Sequence, residues 1–541
     1  MKGGRKMKNF SIAKMKNVSL AALLMASAMF TACSNSDDEI LNEQPANPTE
    51  PQTYTMTIQA AKGGDEATTR GLYINGESAT SALNANWNGK EKVRVVQDGK
   101  VIGTLSAAMS SEHRTTLTGT VTGFVVNHDV GFYLLADEDG KMDYTGQRGA
   151  LLDDNGTGNI EDNYDFASYE LTGAQCMEAF KIEGSTVVPK DGVYIPFTSQ
   201  QAIVWFEFTY NNTPLYAKQL IVTDKNSGKL VQSIDTKTGI KTSSTKTYGP
   251  LSLTPVNNTA AGFYVALNLD GVSDIHLRVV DSNDKIYTCN KANVTFEKGK
   301  YYRVTAKMSS CSVLPLSQIT PYDKKLVGWY LAQPNTGVEA FAYDPTGIYF
   351  GGAKDYGIIA YVGTVPGYFD NFLAMAMHDI KEDDSERSKF MSWSEALTAI
   401  GSYASNHPIR IGDTTYKTAS NTAYDEVADN TASASNTSNS TRKGWRIPSV
   451  TDWRYIFYGL CGEPCPTNPA GITEGVDYGS SALVTKLNVE QKADLSGKGW
   501  YCTSSAVSGA NDYRWMIMLS YIPKFEKTSM TYSCLRPVFA Y

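Results

Sequence analysis

The chain has 541 residues, carries 49 Lys plus Arg against 56 Asp plus Glu for a formal net charge of -7, and is 42% hydrophobic. A net negative charge with no basic stripe gives no electrostatic footprint for DNA or RNA, so no nucleic-acid partner is expected. The 32 Tyr, with Thr, Val and Gly in short alternating runs between Asn, Asp and Gly, are the texture of a mainly β protein.

The N-terminus carries Lys2, Arg5, Lys6, Lys8, Lys14 and Lys16, then an apolar run from Val18 to Phe30. This is the layout of a secretory signal peptide, too short to span a bilayer as a mature helix. The residues Thr31-Ala32 before Cys33 resemble a bacterial lipobox. That resemblance implies a lipoprotein signal peptide over residues 1–32, with acyl chains on Cys33 and a membrane contact through that lipid. The Ser34 to Glu39 segment resembles the acidic tag that sends lipoproteins of Bacteroidetes-type bacteria to the outer face of the outer membrane. Residues 33–52, rich in Ser, Asn, Asp, Glu and Pro, read as a disordered tether.

Strand texture starts at Tyr54, where alternation puts Tyr54, Met56, Ile58 and Ala60 on one face before the pair Gly63-Gly64. Asn88-Gly89 is a turn signal feeding an alternating strand through Val93 and Val95. Further strands read around Leu105, Phe132 to Leu135, Val193 to Phe197, Ala202 to Phe208, Gly262 to Leu267, Ile275 to Val280 and Tyr301 to Thr305.

The motifs Thr69-Arg70-Gly71, Trp87-x-Gly89 with its Val-x-Val strand, Tyr144-Thr145-Gly146-Gln147 and Tyr164-Asp165-Phe166-Ala167, in that order, resemble the fimbrillin family of pilus subunits. The resemblance implies two β-sandwich domains, residues 53–187 and 188–310. It also implies proteolysis between Arg70 and Gly71, loss of the first strand, and filling of its place by a strand of another fimbrial subunit through β-augmentation.

After two prolines between Cys311 and Lys325 the texture changes. Val327 to Leu331, Tyr356 to Gly363 and Phe372 to Met377 read as strands. Ser392 with Glu395 three residues on is a capping-box spacing, predicting a helix to about Ser405. Residues 414–443 read as a long mobile loop. In Gly444-Trp445-Arg446-Ile447-Pro448-Ser449, Ser449 caps a helix whose Trp453, Ile456 and Leu460 share one face. These motifs, with Trp500-Tyr501-x-x-Ser504-Ser505 and Arg536-Pro537-Val538, resemble the C-type-lectin-like fold, which implies an α+β domain over residues 311–541.

The seven cysteines after Cys33 cannot all pair within the chain, and Cys502 with Cys534 is a pairing that would join two late strands. Cys461 and Cys465 have no second Cys or His pair at zinc spacing, and the five histidines stand singly. No metal or other cofactor is expected, and no catalytic constellation is present, so the chain reads as a non-enzyme. Calcium would need clustered carboxylate and amide oxygens. Only Glu463, Asn511 and Asp512 echo that chemistry, with Trp500 as a ring on which a sugar would stack. The fusion of two sandwiches to a lectin-like third suggests a pilus tip adhesin with a surface glycan or protein ligand, localised to the outer membrane, cell surface and fimbrium. The alternative is a glycan-binding surface lipoprotein that stays anchored through Cys33 and never polymerises.

Overall fold

The computed structural model describes residues 51–541 except 63–71, 75–80, 136–140, 151–166, 236–245, 346–352, 381–390, 420–425, 428–442, 464–499 and interruptions of four residues or fewer. In its first strand, β1 (Thr53–Lys62), the expected row Tyr54, Met56, Ile58 and Ala60 turns inward, and Lys62 extends it. The chain continues through β2 (Leu72–Ile74), β3 (Ser81–Ala85), β4 (Lys92–Gln97), β5 (Lys100–Ala107), β6 (Arg114–Thr122), β7 (Val130–Leu135), β8 (Lys141–Asp143) and β9 (Ala167–Leu171). A short helix, α1 (Gly173–Ala179), precedes β10 (Phe180–Glu183), β11 (Thr186–Pro189) and β12 (Tyr194–Ser199).

β1 pairs antiparallel with β6 on one edge and parallel with β11, then β12, on the other. From β12 the sheet runs through β9, β7, β4 and β5 back to β6. Seven strands therefore close on themselves where two facing sheets were expected, because β1 has both edges occupied. Met56, Ile58, Trp87, Leu105, Phe132 and Phe180 fill the interior.

The expected division at residue 187 falls inside this sheet, since β12 pairs with β1 and β9. Conversely, β8 joins Val231–Asp235, and β3 joins Lys300–Lys307 through Ser81↔Tyr301 and Ala82↔Lys300. Tyr144 is fully buried in the second core. Beside it the Gln147 amide donates to the Ala266 carbonyl at 3.0 Å and accepts the Ala266 N–H at 2.7 Å. Gly149, at φ +77°, lies where a Cβ would meet Phe263 at 2.4 Å.

The second core is held between two sheets. In one, Ala202–Tyr210 lies between Gly262–Leu267, antiparallel, and Lys300–Lys307, parallel. The other runs Leu251–Leu253, Ala217–Asp224, Ser273–Asp281, Ile286–Val294 and Ser309–Ser310. Phe206, Phe208, Leu220, Phe263, Leu277 and Val279 are buried between them.

The C-terminal part is built on a seven-stranded sheet containing Tyr330–Gln333, Lys354–Val362, Phe372–Ala376 and Val538–Ala540. Its strands are buried on both faces, as side-chain alternation requires of a sheet with cores on either side. Ile358, Ala360, Leu373, Met375, Val538 and Ala540 face one core, and Ile359, Val362, Phe372, Ala374, Ala376 and Phe539 face the other. Helix α2 (Trp393–Asn406) covers the second face through Ala396, Ile400 and Ala404, and helix α3 (Val450–Cys461) covers the first through Trp453, Ile456 and Leu460. The capping box of Ser392 and Glu395 is formed, and Ser449 makes the equivalent box with Asp452.

Residues 414–443 do not begin as a loop. Thr414–Tyr416 pairs with Ile409–Ile411 across the two-residue turn Gly412-Asp413, because Thr-Thr-Tyr is a β-forming triplet and Gly412 adopts φ +56°. Glu426–Val427 is also a strand.

The second sandwich and the C-terminal part are fastened by charge and by chain. The guanidinium of Arg278 meets the carboxylate of Asp323, both side chains buried, and also donates to the Gln318 carbonyl at 2.8 Å. Ile286 of the sandwich packs into the C-terminal core. No helix among the described residues is long and apolar enough to cross a membrane.

Candidate strand-exchange site at the first strand

β1 is a strand because Thr53, Thr55 and Thr57 supply β-branched outward positions and Tyr54, Met56 and Ile58 supply apolar inward ones. Its register with β6 runs from Thr53↔Thr122 to Ala61↔Arg114 without a bulge. On the other edge, Thr55↔Thr186 and Met56↔Val187 pair it with β11, and Gln59↔Tyr194 to Lys62↔Phe197 with β12. Outside, Gln59 donates to the Thr116 hydroxyl at 3.0 Å, and the Thr57 and Thr118 hydroxyls lie 3.4 Å apart.

The last residue of β1 breaks the apolar row. Lys62 is 4% exposed. Its ammonium donates to Glu91 Oε1 at 2.9 Å and lies 4.7 Å from the centre of the Trp87 ring. The other carboxylate oxygen, Oε2, accepts the Gly89 N–H at 2.8 Å. Gly89, at φ +84°, gives the turn that brings that N–H round. The His113 carbonyl accepts from both the Lys62 backbone N–H, at 2.9 Å, and the Trp87 indole, at 2.8 Å. Phe197 packs edge-on against Trp87 with centroids 5.8 Å apart. A buried ammonium is tolerated only with such a partner set. Sequence reading found Trp87 and the turn at Gly89 but missed Lys62 and Glu91, although Lys62 keeps the period-two phase of Tyr54.

Cys33, Arg70 and Gly71 lie outside the described residues. The chain resumes after Gly71 with the β2–β3 hairpin, which is paired to the second sandwich and not to the closed sheet. The connection between Lys62 and Leu72 thus joins elements seated on different sheets.

The candidate ligand residues lie at the end of α3 and on two late strands. Glu463 follows Gly462, the left-handed cap of α3, and is half-buried. Trp500 opens the strand Trp500–Val507, paired with Met518, and is half-buried. Asn511 and Asp512 lie on the strand Ala510–Met518, with their side chains outside the described residues. The described residues hold no group of three His, Cys, Asp or Glu suited to a metal.

The C-terminal motif residues are structural. Arg446 is fully buried and grips Asp452 through Nη2, at 2.6 Å, and Nε, at 3.2 Å, while Nη1 donates to the Tyr368 carbonyl at 3.0 Å. Arg536 pairs with Asp379 at 2.8 Å, and the Tyr501 hydroxyl donates to the same carboxylate at 3.1 Å. Trp445 is fully buried and donates its indole N–H to the His407 carbonyl at 2.7 Å.

Cys502 and Cys534 are not joined in a disulfide, so the bridge considered from the sequence is not formed. Cys534 is aligned with Tyr501, one residue before Cys502, so the two thiols project from opposite faces into different cores. Burial pushes the Cys502 thiol up to about 12.

No family model matches the chain, and no curated protein matches it. Solved structures similar to it include the tip fimbrial protein Mfa3 of Porphyromonas gingivalis, at 9% identity and a TM-score of 0.27 over 48% of this chain and 99% of that one. A candidate cell adhesion protein of Bacteroides ovatus is similar at 13% identity and a TM-score of 0.26, over 47% and 95% respectively. GBS52, the minor pilin of Streptococcus agalactiae, is similar at 11% identity and a TM-score of 0.18, over 48% and 96%. At these identities and scores each is a likeness and transfers no role to this chain.

Proposed function

We propose that the chain is a non-enzymatic adhesive subunit of a fimbrial surface structure. It is exported by its signal peptide as a lipoprotein acylated at Cys33 and joins the filament after cleavage between Arg70 and Gly71. The observation that carries this reading is the placement of β1. Its inward row is buried, both its edges are paired, and the connection following it leads to a hairpin on a different sheet. One cut in residues 63–71 turns β1 into a separate peptide held only by non-covalent contacts, the Lys62–Glu91 ion pair among them. Its loss leaves a slot between β6 and β12 that another subunit's strand fills by β-augmentation.

In this reading residues 311–541 are displayed for adhesion at a filament tip, and a surface glycan or protein is their ligand. N-terminal sequencing of assembled material is expected to begin at Gly71. A start at Cys33 sinks the proposal.

The buried Lys62–Glu91 pair favours a second reading, since it fastens β1 into its own chain. The protein would then be a glycan-binding surface lipoprotein that keeps both its lipid and its first strand. Palmitate label retained in the mature protein, with Arg70 intact, distinguishes it.

A further inference from the structure

The slot that β1 occupies is not uniformly apolar, and its odd end selects the occupant. Along its length it accepts Tyr54, Met56, Ile58 and Ala60, a row tapering from a large ring to a methyl group. At Lys62 the wall changes character. There stand the Glu91 carboxylate, with 2% of its side chain exposed, and the face of Trp87, 1% exposed. The carboxylate is positioned independently of β1, because its second oxygen is held by the Gly89 N–H on the turn between Trp87 and β4. Trp87 is likewise held by its indole bond to the His113 carbonyl and by Phe197. With β1 gone, the cation that the structure sets against this carboxylate is gone too, while the carboxylate and the ring stay in place.

We propose that Glu91 and Trp87 form a cation-selective subsite that fixes both the identity and the register of the strand entering this slot. The proposal rests on the strand-exchange reading above. The partner it fits is a β-strand of another subunit with four inward residues tapering from aromatic to small, followed two positions later by Lys or Arg. A strand lacking that cation buries Glu91 against an apolar or amide group, with the penalty of a buried charge that has lost its counter-ion. A strand slipped by one residue turns its inward row outward, and one slipped by two sets an apolar side chain against the carboxylate. The anionic end is therefore a register stop.

The test uses the full chain with a site-specific protease sequence in place of residues 66–70, cut and stripped of β1 in denaturant, then refolded with fluorescent peptides. The peptide spanning residues 53–62 is expected to bind. The same peptide with Lys62→Met or Lys62→Gln is expected to bind at least about 30-fold more weakly. In the Glu91→Gln protein that discrimination is expected to fall to within a few-fold, and with Glu91→Lys a Lys62→Glu peptide is expected to become the preferred one. Within each protein the discriminating change sits in the peptide, so folding of that protein is common to the peptides compared. Equal binding of the Lys, Met and Gln peptides overturns the subsite and leaves strand exchange standing. If no peptide enters, not even residues 53–62 themselves, the strand-exchange reading falls and takes the subsite with it.

Discussion

Four ion pairs are buried among the described residues of this protein: Lys62 with Glu91, Arg278 with Asp323 and Arg536 with Asp379 join segments far apart in sequence, and Arg446 with Asp452 closes one locally. Each pair lies off the water-exposed surface, so it is little screened by salt, and removal of one partner is costly. Titration enters through histidine. His276 and His407 are held below the ordinary imidazole value, chiefly by burial. In the unfolded chain both take up a proton at about pH 6.5, while in the folded chain they resist it. The unfolded state thus binds more protons just below that pH, and their contribution to stability is complete above it and lost as pH falls through the window beneath. The unfolding midpoint is expected to drop between about pH 7.5 and about pH 5, and the His276→Gln/His407→Gln double variant to show a shallower drop. Identical slopes would refute the assignment. Arg446 was visible in the sequence as part of a motif, and its partner Asp452 stands in the same segment, six residues on. Lys62 was not visible, because a charged residue in an apolar alternation reads as the end of a strand unless its distant partner Glu91 is known.

Helix α3 shows how far an element can be read from its own residues. Its cap, its buried face and its left-handed stop at Gly462 are local, and all but the stop were expected from Ser449, Trp453, Ile456 and Leu460. What was not local is the contact at Gly459, where a Cβ would meet the Ala360 carbonyl at 1.9 Å. Gly459 reads in sequence only as a weak helix position, yet it lets the helix lie directly on the strand Lys354–Val362. Gly459→Ala is expected to destabilise by about 1–3 kcal/mol through overpacking, although it raises intrinsic helix propensity. A chemical-denaturation midpoint that rises instead would show that the helix can lift at no cost. The strand Thr414–Tyr416 is the converse case. Its two-residue turn was present in the sequence but was overshadowed by the Ser- and Asn-rich residues that follow it.

At the scale of the whole chain, the sheets are interleaved in a way that periodicity cannot reveal. Strand existence and inward faces follow from alternation, but pairing partners depend on contacts between residues far apart in sequence. Hence β12, β8 and β3 each sit across the boundary expected from local motifs. The candidate ligand set had no local signature strong enough to tell coordination from loop and strand chemistry. The join between the second sandwich and the C-terminal part is likewise non-local. Asp323→Ala strands the buried Arg278 and is expected to cost about 3–5 kcal/mol. Calorimetry is expected to split into two transitions as the C-terminal part uncouples from the sandwich. A single transition merely shifted down would mean that the packing of Ile286 suffices to hold the two together.

The closed seven-strand sheet also dictates an order of events during folding. β1 is made first and can pair with β6 early, but its opposite edge has no partner until β11 and β12 arrive, after β4, β5, β6, β7 and β9. Loop-closure entropy makes that last pairing slow. For this interval the chain carries a half-paired first strand beside an open slot, so under the strand-exchange proposal commitment to its own strand or to a neighbour's is settled by a race between ring closure and encounter.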